Sequence, residues 1–394
     1  MKNVSYCVEN YLCTGCGICQ DVCNSDAIKI GKINHFNAPI IDKEKCNDCG
    51  LCFKVCAGHK MDLEKRSKEL FNELEICYIG HSTDHDIRYH CAAGGVTSQF
   101  LIWLLEKRHI GGAIVTKFLE CDPFKAEPFL AKTKEEILSA KSSKYCPVSM
   151  HGMATLVKNA NFPVAIVGLP CHIQAFRKLA SYDKNFGKNV FAYFGLYCSS
   201  TKDYRCIDYI CKKHKVKKDN VETFAYRDDG CLGNMKAVYK DGTSDSFSFL
   251  YAYASQSSLR SYFKPERCLQ CIDHFANLAD ISFGDIHISP YKDAEGYKIG
   301  ENGIIARSEE MNELLLECQK DGVVELKEIP KSEIIRSQKI LPYRKQVYSG
   351  DCFFRKIVGK PVVEYDFENK EKLKLKFIVK VLVYKLQRLV AKWK

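Results

Sequence analysis

No stretch of the 394 residues approaches the ~18 uninterrupted apolar residues that a transmembrane helix needs. Residues 1–10 (MKNVSYCVEN) also lack a basic segment followed by an apolar run, so no secretory leader is expected and a cytoplasmic chain is the reading. A basic surface is nearly missing too. Of the net charge of +11, residues 370–394 supply +8, with nine Lys/Arg against one Glu. The body left behind is close to neutral and keeps no basic stripe with interleaved aromatics, which argues against nucleic acid as a partner. Low hydrophobicity is likewise absent: at 46% apolar the chain folds rather than staying disordered, and its length calls for two or three domains.

Cysteine, by contrast, is abundant, with 22 residues. A chain long enough for an ample core has no need of disulfide staples, so metal ligation is the better reading. Two runs stand in register: Cys13-x2-Cys16-x2-Cys19-x3-Cys23 and Cys46-x2-Cys49-x2-Cys52-x3-Cys56, each cysteine repeated 33 residues on. Three thiolates from one tight turn can hold three irons of a cubane, while the fourth lies too far along the chain and reaches the other cluster. The spacing thus assigns Cys13, Cys16, Cys19 and Cys56 to one 4Fe-4S centre, and Cys46, Cys49, Cys52 and Cys23 to a second. Zinc on CxxC pairs would give two pairs and a wide spacer instead. Gly17 and Gly50 follow the second cysteine of each run and let the backbone approach inorganic sulfide. Asn24 and Ala57 stand where bacterial ferredoxins usually have proline. The segment Ile33 to Asp42 reads as a hairpin strand, Asp21 to Cys23 as a helical turn, and Cys7 as a structural thiol.

Beyond a charged helical connector (Met61 to Leu74), strands alternate with helices, which predicts a mixed, largely parallel α/β body, so that the fold class is α+β and α/β with the ferredoxin domain included. Cys91 to Lys107 reads as a glycine-rich turn opening a helix, a place suited to an anion, although a Gly-Gly pair more often only eases a turn. Pro163 to Gly168 is a buried strand, with Pro170 in the first turn of the next helix and Cys171 at its start. Val190 to Tyr197 is another, with Cys198 just past its end. Cys268-x2-Cys271 precedes a third, Ala279 to Ile286. Cysteines at the carboxyl ends of successive parallel strands face the crevice where such sheets bind ligands. These four close a third cluster, or else form two core thiols and a zinc or redox CxxC. The other cysteines, among them Cys77, Cys121, Cys206, Cys211, Cys231, Cys318 and Cys352, have no partner spacing and read mostly as core thiols.

Taken together, the Gly94-Gly95 turn, SSKYCP at Ser142, VGLPCHIQAFRKL from Val167, GLYC ending at Cys198, YRDDGCLG from Tyr226, and CLQC followed by ADISFGD resemble, in order, the coenzyme F420 hydrogenase/dehydrogenase beta-subunit family over about residues 76–290. Relatives with an N-terminal two-cluster ferredoxin belong to that family. The resemblance implies an oxidoreductase that binds FAD beside a 4Fe-4S centre and exchanges hydride with coenzyme F420 or another organic substrate. It implies Cys171, Cys198, Cys268 and Cys271 as ligands of the third cluster, and Gly94, Gly95, Ser143, Lys144 and Tyr145 as lining the flavin site.

Iron-sulfur centres pass one electron at a time and hydride chemistry needs two, so a flavin between them is expected. His172 and His287, beside cluster motifs, are candidate proton donors, with a structural role as the alternative for each. The expected domains are 1–62 (two-cluster ferredoxin), 76–160 and 161–365 (the N- and C-terminal halves of the beta-subunit-like body) and 366–394 (a basic amphipathic tail). The tail puts Leu375, Ile378, Val379, Leu382, Leu386, Leu389, Val390 and Trp393 on one helical face. It lies on the inner membrane surface, as suits a lipid-linked substrate, or docks on the body or a partner subunit. The expected electron partner is ferredoxin-type or a deazaflavin, and the alternative to an enzyme is an electron-transfer subunit of a larger complex.

Overall fold

The computed structural model describes residues 2–255, 261–287, 291–338, 340–367 and 372–391. The N-terminal region is built on a hairpin of β1 (Ile28–Ile33) and β2 (Phe36–Ile41), paired antiparallel from Ile28↔Ile41 to Ile33↔Phe36. Asn34 and His35 make the two-residue turn, both at positive φ, the geometry that matches the twist of the flanking strands. The expected strand from Ile33 is therefore only the second half of this hairpin. β3 (Lys60–Met61) then leads into a helix at Leu63–Phe71.

The body strands are β4 (Ile76–Ser82), β5 (Gly112–Phe118), β6 (Ala126–Ala131), β7 (Val164–Gly168), β8 (Val190–Leu196), β9 (Val221–Asp228), β10 (Asn234–Tyr239), β11 (Ser244–Ser248), β12 (Ile281–Asp285), β13 (Tyr291–Lys292), β14 (Lys298–Ile299), β15 (Asn302–Ala306) and β16 (Val324–Glu328), followed by β17 (Glu364–Tyr365). Eight of them form one sheet in the order β16-β4-β15-β12-β8-β7-β5-β6, and β9 to β11 make a separate three-stranded sheet. The sheet is mixed, as expected, but it is not largely parallel. Only the inner neighbours β5-β7, β7-β8 and β8-β12 run parallel, and the other four pairings are antiparallel. The sheet is mixed because β6 returns from β5 as a hairpin, while β4 is inserted between β15 and β16. An apolar strand does not encode its neighbour's direction. The sheet runs across residue 160, so the two halves of the body share it.

Helices cover both faces. Phe100, Phe176 and Phe194 are wholly buried, each side chain contributing about 1.5–3 kcal/mol by leaving water. Pro170 opens the Pro170–Tyr182 helix at its first turn, where its missing N–H costs nothing. Gly195 of β8 lets the segment after the CxxC loop come close, since a Cβ there would lie 2.4 Å from the Ala276 Cβ. The ferredoxin-like region shares a core with the body: Ile18, Val22, Ile28 and Met61 pack with Met150, Met153, Ile173 and Phe176. The Met150 N–H donates to the Cys16 carbonyl (2.8 Å), and Asp21 accepts from the N–H groups of Gly152 and Ala154 at the start of the Met153–Lys158 helix. At the far end of the chain β17 pairs with β3, and Asp366 accepts from the N–H groups of Glu64 and Lys65. No helix among the described residues is long and apolar enough to cross a membrane.

Candidate iron-sulfur centres and cofactor site

Each four-cysteine run wraps a reversal of the backbone. Gly17 (φ 82°) and Gly50 (φ 72°) take the left-handed conformation and open the short helices Ile18–Asp21 and Leu51–Lys54. That puts the second and third thiols of each run on one turn. Cys13, Cys16, Cys19 and Cys56 sense one another electrostatically, as the spacing requires. Burial first, then these neighbours, pushes Cys13, Cys16 and Cys19 up, Cys16 to about 11. Cys52 senses Cys49 and Cys23, the second expected set. Cys49 is exposed, so this set lies nearer the solvent. The Gly15 and Gly58 N–H groups donate to the Cys13 and Cys56 sulfurs at 3.4 and 3.2 Å. Cys7, read as a structural thiol, is buried with its sulfur 3.7 Å from that of Cys56. Hydrogen bonding with Cys7 leads the causes that hold the Cys56 thiol well below its ordinary range.

The four body cysteines converge. Cys171 on its helix, Cys198 beyond β8, and Cys268 and Cys271 on the loop before β12 line one cavity, and Cys13 and Thr14 of the first ferredoxin-type set line the same cavity. Burial, then Cys198, Cys16, Cys271 and Cys268, pushes Cys171 well up, and Cys198 rises to about 12. Thiols so crowded in a dry site resist ionising unless positive charge joins them, and iron supplies it; the donor set fits a cluster. Two buried arginines line the cavity that sequence reading missed. Arg344 donates to the carbonyls of Asp273 (2.7 Å) and Ser199 (3.0 Å), and Arg267 to that of Ala57 (2.9 Å). Arg267, directly before Cys268, was findable by adjacency; Arg344 carried no local signal.

His172 lies buried on the wall of this cavity. Its Nδ1 accepts from the Leu169 N–H at 3.4 Å, and burial lowers its pKa to about 4. His287 is exposed, just past β12. His274, missed from sequence, is buried between the Cys198 carbonyl and Gln338.

The expected flavin residues gather at one end of the sheet. Gly95 (φ 77°) caps the Val96–Glu106 helix, whose first N–H donates to Asn302 Oδ1. Gly94 has no room for a side chain, because a Cβ would meet the Gly80 carbonyl at 2.5 Å. The Lys144 ammonium donates to the carbonyls of Ala140, Lys141 and Ser142. Burial lowers it to about 8. With its donors spent on the loop, Lys144 offers an anion its charge. Ser143 stands beside it, and the Ser142 hydroxyl donates to the Arg227 carbonyl. Tyr145 stacks on Phe249 and Tyr253. Arg227 is buried, ion-paired with Asp285, and its Nη2 has no hydrogen-bond partner. An orphaned guanidinium nitrogen, a buried ammonium and stacked rings fit an anionic aromatic cofactor. A His90–Asp228 pair (2.7 Å) lies close by, also unread from sequence.

Fold and cysteine geometry together define an iron-sulfur protein whose ferredoxin-like region is packed into an α/β body. The 4Fe-4S dicluster domain matches residues 12–58, and the N-terminal and C-terminal models of coenzyme F420 hydrogenase/dehydrogenase, beta subunit, match 77–154 and 163–332. The chain belongs to that beta-subunit family. Among similar proteins, the coenzyme F420-dependent sulfite reductase of Methanocaldococcus jannaschii is 28% identical over 268 residues, which is 64% of this chain and 38% of that protein. Coenzyme F420 hydrogenase subunit beta of Methanosarcina barkeri is 27% identical over 299 residues, covering 68% of this chain and 91% of the relative. A solved chain of the F420-reducing NiFe hydrogenase complex from Methanosarcina barkeri shares the fold, with TM-score 0.54 and 21% identity over 73% of this chain and 94% of that one.

Proposed function

We propose that this protein is an iron-sulfur flavoprotein oxidoreductase that exchanges hydride with coenzyme F420 or another small organic or lipid-linked substrate. Cys46, Cys49, Cys52 and Cys23 hold the outermost cluster, Cys13, Cys16, Cys19 and Cys56 the next, and Cys171, Cys198, Cys268 and Cys271 the third. Bound clusters supply one-electron transfer, and FAD supplies the step between single electrons and hydride. The observation that carries the reading is the shared cavity wall: Cys13 lies in the same cavity as the four body cysteines, so the two thiol sets are neighbours. Arg267 and Arg344 offset the negative charge of the body thiolates. Gly94, Gly95 and Ser143 bring backbone close to the flavin, Lys144 and Arg227 face its anionic part, and Tyr145 offers a ring to stack on. His172 and His287 are the proposed proton carriers.

A second reading, an electron-transfer subunit serving a catalytic partner, is favoured by relatives described as beta subunits. One anaerobic preparation tests both. The proposal expects about 12 iron atoms, by the count of three cubanes, and one FAD per chain. Reduction of an organic acceptor by the isolated chain supports the enzyme, and activity only with a partner chain supports the subunit. A folded preparation without flavin bands overturns the flavoprotein reading.

A further inference from the structure

We propose that the outward face of the C-terminal helix Leu375–Ala391, with the basic cavity at its end, is a docking surface for an anionic phospholipid bilayer. The helix has two faces with different work. Its inner face is committed to the body: Phe377, Val381 and Tyr384 pack with Leu269, Tyr343, Val347 and Phe354. The Tyr384 and Tyr343 hydroxyls are 2.6 Å apart, and Lys385 pairs with the buried Asp351 at 2.7 Å. Docking on the body therefore does not use up the apolar residues. Leu375, Val379, Leu382, Leu386 and Leu389 remain exposed, Leu375 at 73% and Leu386 at 52%. They recur every three or four residues along a rod about 25 Å long. Beside them Phe353, Ile357 and Val358 of the preceding helix and its end are exposed too. A patch of this kind marks a contact with something apolar.

Charge decides which contact. Residues 372–394 hold eight Lys/Arg and no Asp or Glu. A second copy of the helix would bring lysines against lysines, whereas an anionic leaflet offers hydrocarbon to the leucines and phosphate to the lysines. The cavity adds a seat for a headgroup. It measures about 330 Å³ and is lined by Arg205, Arg355, Lys360, Lys385 and Arg388 against one carboxylate, Glu266, with Leu389 and Val358 shared between its wall and the exposed patch. Two of its cations are under-used. The Lys360 ammonium lies 4.4 Å from the centre of the Tyr11 ring, with no carboxylate partner among the described residues. The Arg388 Nη1 is buried without a hydrogen bond, 3.7 Å from Glu266. A phosphate in this cavity would give Lys360 a counter-ion and the Arg388 Nη1 a hydrogen-bond acceptor, while its acyl chains run along the leucine face.

The inference stands apart from the redox reading, because its test reads no electron transfer. The full chain, purified anaerobically, is sedimented with vesicles of phosphatidylcholine and with vesicles that are about one-third phosphatidylglycerol. Binding to the second and not the first, weakening with salt, is expected. Leu382→Glu/Leu386→Glu, on an exposed face, should abolish it with the cluster absorbance unchanged, and Lys374→Ala/Lys376→Ala should weaken it about fivefold per charge removed. Lys360→Ala/Arg388→Ala should weaken it as well, and binding at full strength in that variant removes the cavity from the surface. Wild-type protein that stays in solution with phosphatidylglycerol vesicles overturns the proposal. So does a lipid-free dimer that the leucine variant splits, which would make the stripe a contact between copies.

Discussion

Arg344 and Arg267 put two fixed positive charges beside the four body thiols, of which burial holds Cys171 and Cys198 against ionisation. If these thiols hold a cluster, its reduction adds an electron that a neighbouring guanidinium favours, so removing one should make the potential more negative. For Arg344→Met a shift of about 59 mV, a tenfold change in a one-electron equilibrium, is expected in an anaerobic redox titration followed by electron paramagnetic resonance. An unmoved potential would leave Arg344 only its hydrogen bonds to Asp273 and Ser199. Lys144 makes a prediction in pH. Burial lowers its pKa to about 8, so the ammonium is charged below that pH and neutral above it. Only the charged form attracts an anion. Affinity for FAD should fall as pH rises through about 8, toward the weaker and pH-independent affinity expected of Lys144→Met; parallel titration curves for the two proteins would exclude the role. The cysteines of both runs were readable because cubane geometry confines three thiolates to one turn. Arg344 was not, because its partners at Ser199 and Asp273 lie 145 and 71 residues away.

Among the elements, β7, β8 and β12 do the positioning, since two of the body cysteines follow β7 and β8 and the CxxC loop precedes β12. A single ligand change should therefore remove one cluster and spare the others. In Cys198→Ala the iron content should drop from about 12 to about 8 per chain, with the ferredoxin-type signals retained. Loss of all iron would mean that the sites assemble as one unit. These strands were legible as short apolar runs closed by Gly, Pro or a polar pair. The helix Leu341–Ile357 was not. Its sequence YRKQVYSGDCFFRK looks like a solvated face, yet Arg344, Asp351 and Arg355 are buried. Arg355 donates to Asp351, Asn10 and Pro361, which joins the end of the chain to its beginning. Long charged side chains at such junctions carry no periodic signal, because their partners are fixed by the tertiary fold. For the same reason the tail's two readings could not be separated in sequence: its inner and outer faces are both apolar.

At the scale of the whole molecule, a ferredoxin-like region that shares its core with the body is held in a fixed place, and a relay between thiol sets needs a fixed separation. Cys49 is exposed while Cys16 and Cys19 are buried, and Cys13 borders the body cysteines. This orders the sets from the surface inward, so if they hold clusters as proposed, a protein donor should meet the outer set and reach the inner ones through it. Cys46→Ser/Cys49→Ser should therefore slow flavin reduction by reduced ferredoxin by about tenfold or more, ~1.4 kcal/mol in barrier. Reduction by dithionite, small enough to reach other sites, should continue near the wild-type rate. The comparison is made by stopped-flow absorbance, with iron content confirming that the inner sets remain filled. Equal slowing with both reductants would place the defect in the body rather than at the outer set. Undiminished rates with both would mean that electrons do not pass through Cys46 and Cys49, and the inward order of the relay would fail.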